Sequence, residues 1–359
     1  MKTTHILLLS ASLLGAVLSC EKSAPVSPLP TSSPIVEEVD GTGILHVTVG
    51  TEGTSKASLT GLDEKAVRSL QVFVFNAESG KRETDKFVSG NSLTITAPVG
   101  NKHVWAIVNH SRFADMPTEA DLKNTVTDLS DNYSSGNGIN LIMAGEKDVE
   151  VTRSSIQVTV NVTRLASRIV LTKVTRQFSD TYLSGCTFTI KDIYLKNVAG
   201  HTNFSLNKKN NNTDWDIIDP TLWYNKLRDE NTSAVIPLLC DHDLNISCEE
   251  GVAKEIKRVW YTYPNPTSDD SNSSTWSARH TRLVIHAEVT GYGSSAIQSY
   301  YTFTLPVLKR NCSYEISDIT FTMLGKNNDD DDSVTDTGTA AITLNVVDWD
   351  SSTALTFNM

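Results

Sequence analysis

The sequence predicts an all-β protein built from two antiparallel β-sandwiches with one short helix in the first, and three observations carry that prediction. Apolar and polar side chains alternate with a two-residue period along most of the chain. Between the alternating runs lie joints rich in Gly, Pro, Asn and Ser, the residues that turn one strand into the next. One stretch departs from the pattern and shows the three- and four-residue spacing of a helix. At 359 residues the chain has room for about two domains at roughly 150 residues each.

The alternation starts at Ile44, where Leu45, Val47 and Val49 point to one face and His46 and Thr48 to the other. Leu70 to Phe75 is β-branched and aromatic, and Leu93, Ile95 and Ala97 alternate with Thr94 and Thr96, as half-buried strands do. Pro117 to Asp121 then opens the helix: Thr118 is the N-cap, Glu119 and Asp121 fill the first turn, and Leu122, Val126 and Leu129 form the apolar stripe. The predicted helix therefore runs from Thr118 to Leu129. The two-residue period returns in Ile156 to Val162, Ile169 to Val174, Phe188 to Ile193, Leu283 to Val289, Tyr300 to Leu305, Ile316 to Met323 and Ile342 to Val346. Arg164 and Arg168 interrupt the apolar run there, which sets the expected domain boundary: residues 44–163 in the first sandwich and 164–359 in the second.

The first residues read as a secretory leader: Lys2, an apolar run from Ile6 to Leu18, then Ser19 and Cys20. The ending Val17-Leu18-Ser19-Cys20 resembles a bacterial lipobox, in which the Cys thiol is acylated and becomes the mature N-terminus. Residues 1–19 are then the signal peptide, and lipid on Cys20 ties the chain to the outer membrane, since several acyl chains anchor firmly where a single chain does not. Residues 20–43 carry Pro25, Pro28, Pro30 and Pro34 among Ser, Thr and Val. Such a segment buries too little apolar surface to offset its ordering entropy and reads as a solvated tether.

Composition excludes several function classes. With 31 basic against 42 acidic side chains the net charge is −11, which opposes attraction to a phosphate backbone, so nucleic acid is not an expected partner. No HExxH, GxSxG, phosphate-binding glycine loop or GxGxxG occurs, so neither an enzyme nor a cofactor is expected. His103, His110 and His242 have Ser or Asp neighbours, as a Ser-rich chain produces by chance. Trp215, Trp223 and Trp260 are the candidate stacking platform of a carbohydrate-binding surface lipoprotein, the rival reading, although such residues are more often core. The acidic run Asp329 to Asp332, within the linker Lys326 to Gly338, lacks the glycine and terminal Glu of a calcium loop and reads as solvated, a flexible joint before the last strands. Cys186, Cys240, Cys248 and Cys312 allow three disulfide pairings, with Cys240 to Cys248 the local option, and free thiols remain open. Cys240-Asp241-His242-Asp243 sets potential metal ligands side by side, but no zinc-type spacing recurs and no metal is expected.

The order of several segments resembles the FimA-like fimbrillins, structural subunits of the type V pili of Bacteroidota. The matching pieces are Arg68 to Asn76, the helix at Thr118, Leu141 to Glu146, Arg164 to Ile169, Arg310-Asn311 with Tyr314-Glu315-Ile316, and the ending Leu344 to Trp349. The resemblance implies transthyretin-like sandwiches and assembly by donor-strand exchange. A lipidated precursor on the cell surface is cut after a basic residue that follows its first strand, that strand leaves, and a C-terminal strand of the next subunit fills the groove. Carried onto this chain, Lys56 is the processing site, with Lys65 and Arg68 as rivals. Leu45, Val47 and Val49 belong to the displaced strand, and Ile342, Leu344, Val346, Trp349, Leu355 and Phe357 to the donor segment. The implied partners are other copies of the chain or related pilus subunits, together with host or bacterial surface receptors. The implied location is the outer membrane for the precursor and the cell-surface fimbrium for the processed subunit. Stalk, tip and anchor roles all remain open.

Overall fold

The structure is a computed structural model, and it describes residues 41–51, 63–134, 138–209, 214–225, 237–268, 270, 278–329, 335, 338–349 and 354–358. The principal elements in chain order are β1 (Thr42–Thr51), β2 (Ser69–Asn76), β3 (Arg82–Ser89), β4 (Ser92–Pro98), β5 (Gly100–Val108), α1 (Glu119–Asn124), β6 (Val126–Asp128), β7 (Met143–Val151), β8 (Ser155–Arg164) and β9 (Ser167–Arg176). They continue with β10 (Thr187–Lys196), β11 (His201–Asn203), β12 (Cys240–Asp241), β13 (Ile246–Cys248), β14 (Ala253–Thr262), β15 (Arg282–Thr290), β16 (Ile297–Thr304), β17 (Cys312–Phe321), β18 (Ala340–Asp348) and β19 (Ala354–Asn358). The fold is all-β and sandwich-like, as the alternation predicts.

The N-terminal strands form a seven-stranded sheet in the order β3-β2-β5-β7-β8-β1-β4. Its first and last members, β3 and β4, are consecutive in the chain and joined at Gly90-Asn91. The sheet therefore curls back on itself, and Lys86 Nζ donates to the Thr94 carbonyl across the gap at 2.8 Å. The roll encloses one apolar interior, in which Leu45, Val47, Val49, Val72, Ile95, Val104, Val158 and Val160 meet. Gly145 permits it: a Cβ there would lie 2.1 Å from the Asn161 carbonyl oxygen, so only glycine lets β8 cross β7 this closely.

Strands β2 and β5 are buried on both faces. Phe73, Phe75, Trp105 and Ile107 turn away from the roll and join the core of the C-terminal strands through Phe113, Leu122 and Leu129. That second core lies between the sheet β14-β9-β17-β18-β19 and the sheet β12-β10-β15-β16, with β13 also paired to β10. Phe188 and Tyr301 of one sheet close on Phe321 of the other, with ring centroids 5.2 and 4.4 Å apart.

The helix is shorter than its stripe predicts. Thr118 caps it, with the Asp121 side chain completing a capping box, but α1 ends at Asn124. Val126 to Asp128 is a strand, and Leu129–Asn132 is a 3-10 turn. The reason is non-local: β6 pairs with β11, Thr202 opposite Thr127, and that ladder claims the backbone groups a longer helix would use. Arg310 holds β11 from below, donating to the carbonyls of Ser205 and Asn203 and to Thr202 Oγ1.

The linker after β17 also departs from expectation. Lys326 pairs with Tyr300 at the edge of β16, and the Asp329 carboxylate accepts from Tyr194 and from Lys196 Nζ, the latter at 2.6 Å. Lys326 to Asp329 is thus pinned across the sheet, because the buried Lys196 ammonium needs a counter-charge; Asp330 to Asp332 lie outside the described residues. Burial alone would raise the Asp329 carboxyl, but the hydrogen bonds from Lys196 and Tyr194 hold it below its ordinary value. A lowered folded value gives stability that is present above the unfolded carboxylate range, about 3.9, and lost as pH falls through the folded value. Asp329→Asn is accordingly expected to cost about 1–3 kcal/mol at pH 7, a cost that shrinks as pH falls through the folded value, as read by chemical denaturation over a pH series.

Cys186, Cys240 and Cys248 are free thiols. Cys240 stands opposite Tyr194 and Cys248 opposite Phe188 on β10. Six positions, 194 − 188, at ~3.3 Å each separate them by about 20 Å, well beyond the ~7 Å limit of a disulfide. Burial pushes both thiols up to about 11, so they are protonated and unreactive. Trp223 and Trp260 are buried and present no ring to a sugar; the side chain of Trp215 lies outside the described residues. Among the described residues no group of three or more His, Cys, Asp or Glu is placed to hold a metal ion.

Candidate functional site

The candidate site is the slot occupied by β1. This strand lies between β8, to which it runs parallel from Ile44 opposite Ser155 to Thr51 opposite Val162, and β4, to which it runs antiparallel from Thr42 opposite Pro98 to Thr48 opposite Ser92. Both of its hydrogen-bonding edges are used. Strict alternation then decides which side chains enter the roll: Leu45 and Val47 are fully buried and Val49 nearly so, while Ile44 and Thr48 face solvent. Gly43 lets the strand pass close to the turn joining β7 and β8, since a Cβ there would lie 2.0 Å from the Thr152 carbonyl oxygen. On the outer face His46 Nδ1 and Thr94 Oγ1 are 2.9 Å apart.

The walls of the slot are Leu93, Ile95 and Ala97 of β4 and Val158, Val160 and Val162 of β8, and its floor includes Val72 and Val104. What the slot can do is chemical only in the weakest sense: it recognises an extended strand by main-chain hydrogen bonds and three alternating apolar side chains. The alternation of β4 and β8 is legible in the sequence, but their position flanking β1 is not.

The predicted donor residues lie at the far end of the chain. Strand β18 is interior to its sheet, between β17 and β19, with Ile342 and Leu344 buried and Val346 half-buried. Trp349 is also buried, directly after β18. The backbone of Leu355 and Phe357 lies in β19, which among the described residues is an edge strand paired only with β18; their side chains lie outside the described residues. Cys20 and Lys56 lie outside the described residues altogether. Of the rival processing positions, Arg68 donates to the Ile139 carbonyl and to Asn140 Oδ1, a hold that opposes entry into a protease.

The three histidines serve local structure. His103 bonds Glu119 at 2.8 Å, His110 stacks on Phe113, and His242 lies 3.0 Å from the Asp192 carboxylate.

Residues 44–182 match the family model described as Major fimbrial subunit protein (FimA). That stretch is FimA-like. It begins at Ile44, within β1, and takes in the other strands of the N-terminal sheet together with β9, so nearly all of the slot lies within it. The FimA family is one of structural fimbrial subunits, not of enzymes. No curated protein matches the chain.

Solved structures share the fold along its length. A proposed cell adhesion protein of Parabacteroides distasonis superposes with a TM-score of 0.62 at 18% identity, covering 86% of this chain and 98% of its own. One of Bacteroides eggerthii gives 0.60 at 17%, covering 87% and 98%. A fimbrilin (FimA) of Porphyromonas gingivalis gives 0.57 at 16%, covering 86% and 97%. At these identities the likeness is one of fold.

Proposed function

We propose that this protein is a structural subunit of a cell-surface type V fimbria, supporting adhesion. In this reading it is exported as a lipoprotein precursor, acylated on Cys20 and held at the outer membrane, then cut after Lys56. It polymerises by giving a C-terminal strand to the slot that β1 vacates in a neighbouring subunit, and its two sandwiches divide at 163/164. The observation that carries the reading is the seating of β1 within the FimA-like stretch. One short strand fills an apolar slot with Leu45, Val47 and Val49 and is bonded along both edges. Once emptied, the slot exposes two strand edges and apolar walls, a template for a strand of like pattern. The contact is head-to-tail, so it propagates as an open filament. Ile342, Leu344 and Val346 with Trp349, and Leu355 with Phe357, supply candidate patterns of that kind.

Deleting Ala354 to Met359 is expected to leave a folded monomer that, after cutting near Lys56, forms no fibres by electron microscopy. Undiminished fibres from the truncated chain would sink the donor role of β19. The full seating of β1 also suits an anchor subunit that keeps this strand. Limited proteolysis separates the two: a subunit that polymerises loses the fragment containing β1, and an anchor retains it.

A further inference from the structure

Glu64 sits shortly after β1 in the chain and is 8% exposed, an unusual place for a carboxylate unless it is paired. Its partners converge from distant segments. Tyr261 OH donates to Oε1 at 2.6 Å, Arg168 Nη1 donates to Oε2 at 2.7 Å, and Trp349 Nε1 donates to Oε2 at 3.3 Å. Arg164 Nε donates to the Glu64 main-chain carbonyl at 3.2 Å. The Trp349 ring is covered by the guanidinium groups of Arg164 and Arg168, 4.6 and 4.9 Å from its centroid, and stacks with Tyr261 at 5.9 Å. The Trp349 amide donates to the Asn311 carbonyl at 2.9 Å. Glu315, 3.7 Å from Arg168, is the other carboxylate bordering the cluster.

Two features give this cluster a consequence for assembly. No residue of β1 belongs to it, so departure of β1 leaves every bond above in place. It also fixes the end of β18, a strand already paired to β17 from Cys312 opposite Asp348 to Phe321 opposite Ala340, with Leu344 fully buried. Among the described residues strand β19 pairs with β18 alone, and it lies beyond Trp349.

Resting on the donor-strand reading, we propose that Glu64, Arg168, Tyr261 and Trp349 form a clasp fastening the stretch after β1 to the end of β18, so that an assembling subunit gives away β19 alone. The role of Ile342, Leu344 and Val346 is then to stay, completing the subunit's own sheet, and the donated pattern is that of Leu355 and Phe357.

Two measurements test it. The first is a disulfide across β17 and β18, Thr320→Cys with Ala341→Cys, at paired positions away from the clasp. The oxidised full chain, once cut, is expected to form fibres like the wild type; loss of fibres restored by reductant would overturn the proposal, because β18 would then have to leave. The second is hydrogen exchange in the monomer. Glu64→Gln, or Trp349→Phe should that chain fail to fold, is expected to speed exchange of the Val346 to Asp348 amides about tenfold with β16 unchanged. Unchanged exchange at the end of β18 would remove the clasp. Fibres that persist without β19 would likewise overturn the proposal; failure of the donor-strand reading itself shows separately, as fibres that form undiminished while β1 is held in its slot by a disulfide to β4.

Discussion

Locking β1 to β4 is expected to abolish fibre formation. His46 and Thr94 face each other across the antiparallel pair on the outer surface of the roll, and their side chains already touch. Directly opposed residues in such a pair have Cα atoms about 4.5–5.5 Å apart, within the disulfide range of about 4.4–6.8 Å. In the chain carrying His46→Cys and Thr94→Cys, oxidation ties the strand into its slot while the interior packing stays as it was. Cutting near Lys56 then severs the backbone without freeing β1, and fibre yield by electron microscopy should fall to background. Reductant should bring it back. Equal yields from the oxidised and reduced chains would mean that β1 is not the strand exchanged.

The opposite manipulation should release β1 without a protease. Leu45, Val47 and Val49 each contribute about 1.5–3 kcal/mol by burial, which is the main grip on the strand apart from its ladders. Val47 is fully buried among apolar neighbours. Val47→Asp buries an unpaired charge at a cost of several kcal/mol, offsetting most of that grip. The uncut chain is then expected to expose its slot and self-associate, seen as high-mass species by size exclusion and filaments by electron microscopy. Thr48→Asp, one position along and facing solvent, should remain a monomer. A monomeric Val47→Asp chain with β1 still protected from exchange would show that the slot holds the strand by its ladders alone.

These two outcomes bear on residues the sequence had already singled out, and the reason is physical. A strand with one face buried must alternate, so Leu45, Val47 and Val49 could be recognised from local order alone. The start of the helix was equally legible, because Thr118 and Asp121 satisfy its first amide groups within a single turn. Its end was not. Val126 keeps a helical spacing in the sequence, yet it lies in β6 because β11, far along the chain, supplies hydrogen bonds there. Asp329 reads as one of a solvated run, and only Lys196 and Tyr194 turn it into a pin. Glu64 carries no signal at all in the sequence: it is one more acidic residue beside a basic one until Arg168, Tyr261 and Trp349 close around it.

The amino-acid order by itself determined the strand-rich architecture, the inward-facing triad of β1 and the capped start of α1, since each follows from steric and solvation preferences acting over a few neighbouring residues. Tertiary structure alone decided that β1 lies between β4 and β8, that β18 is interior and β19 an edge, and where Glu64 finds its partners. Alternation says which face of a strand is buried but not which strand lies beside it; that choice is made by ladders joining segments as distant as Ile44 and Ser155, whose closure depends on the whole chain.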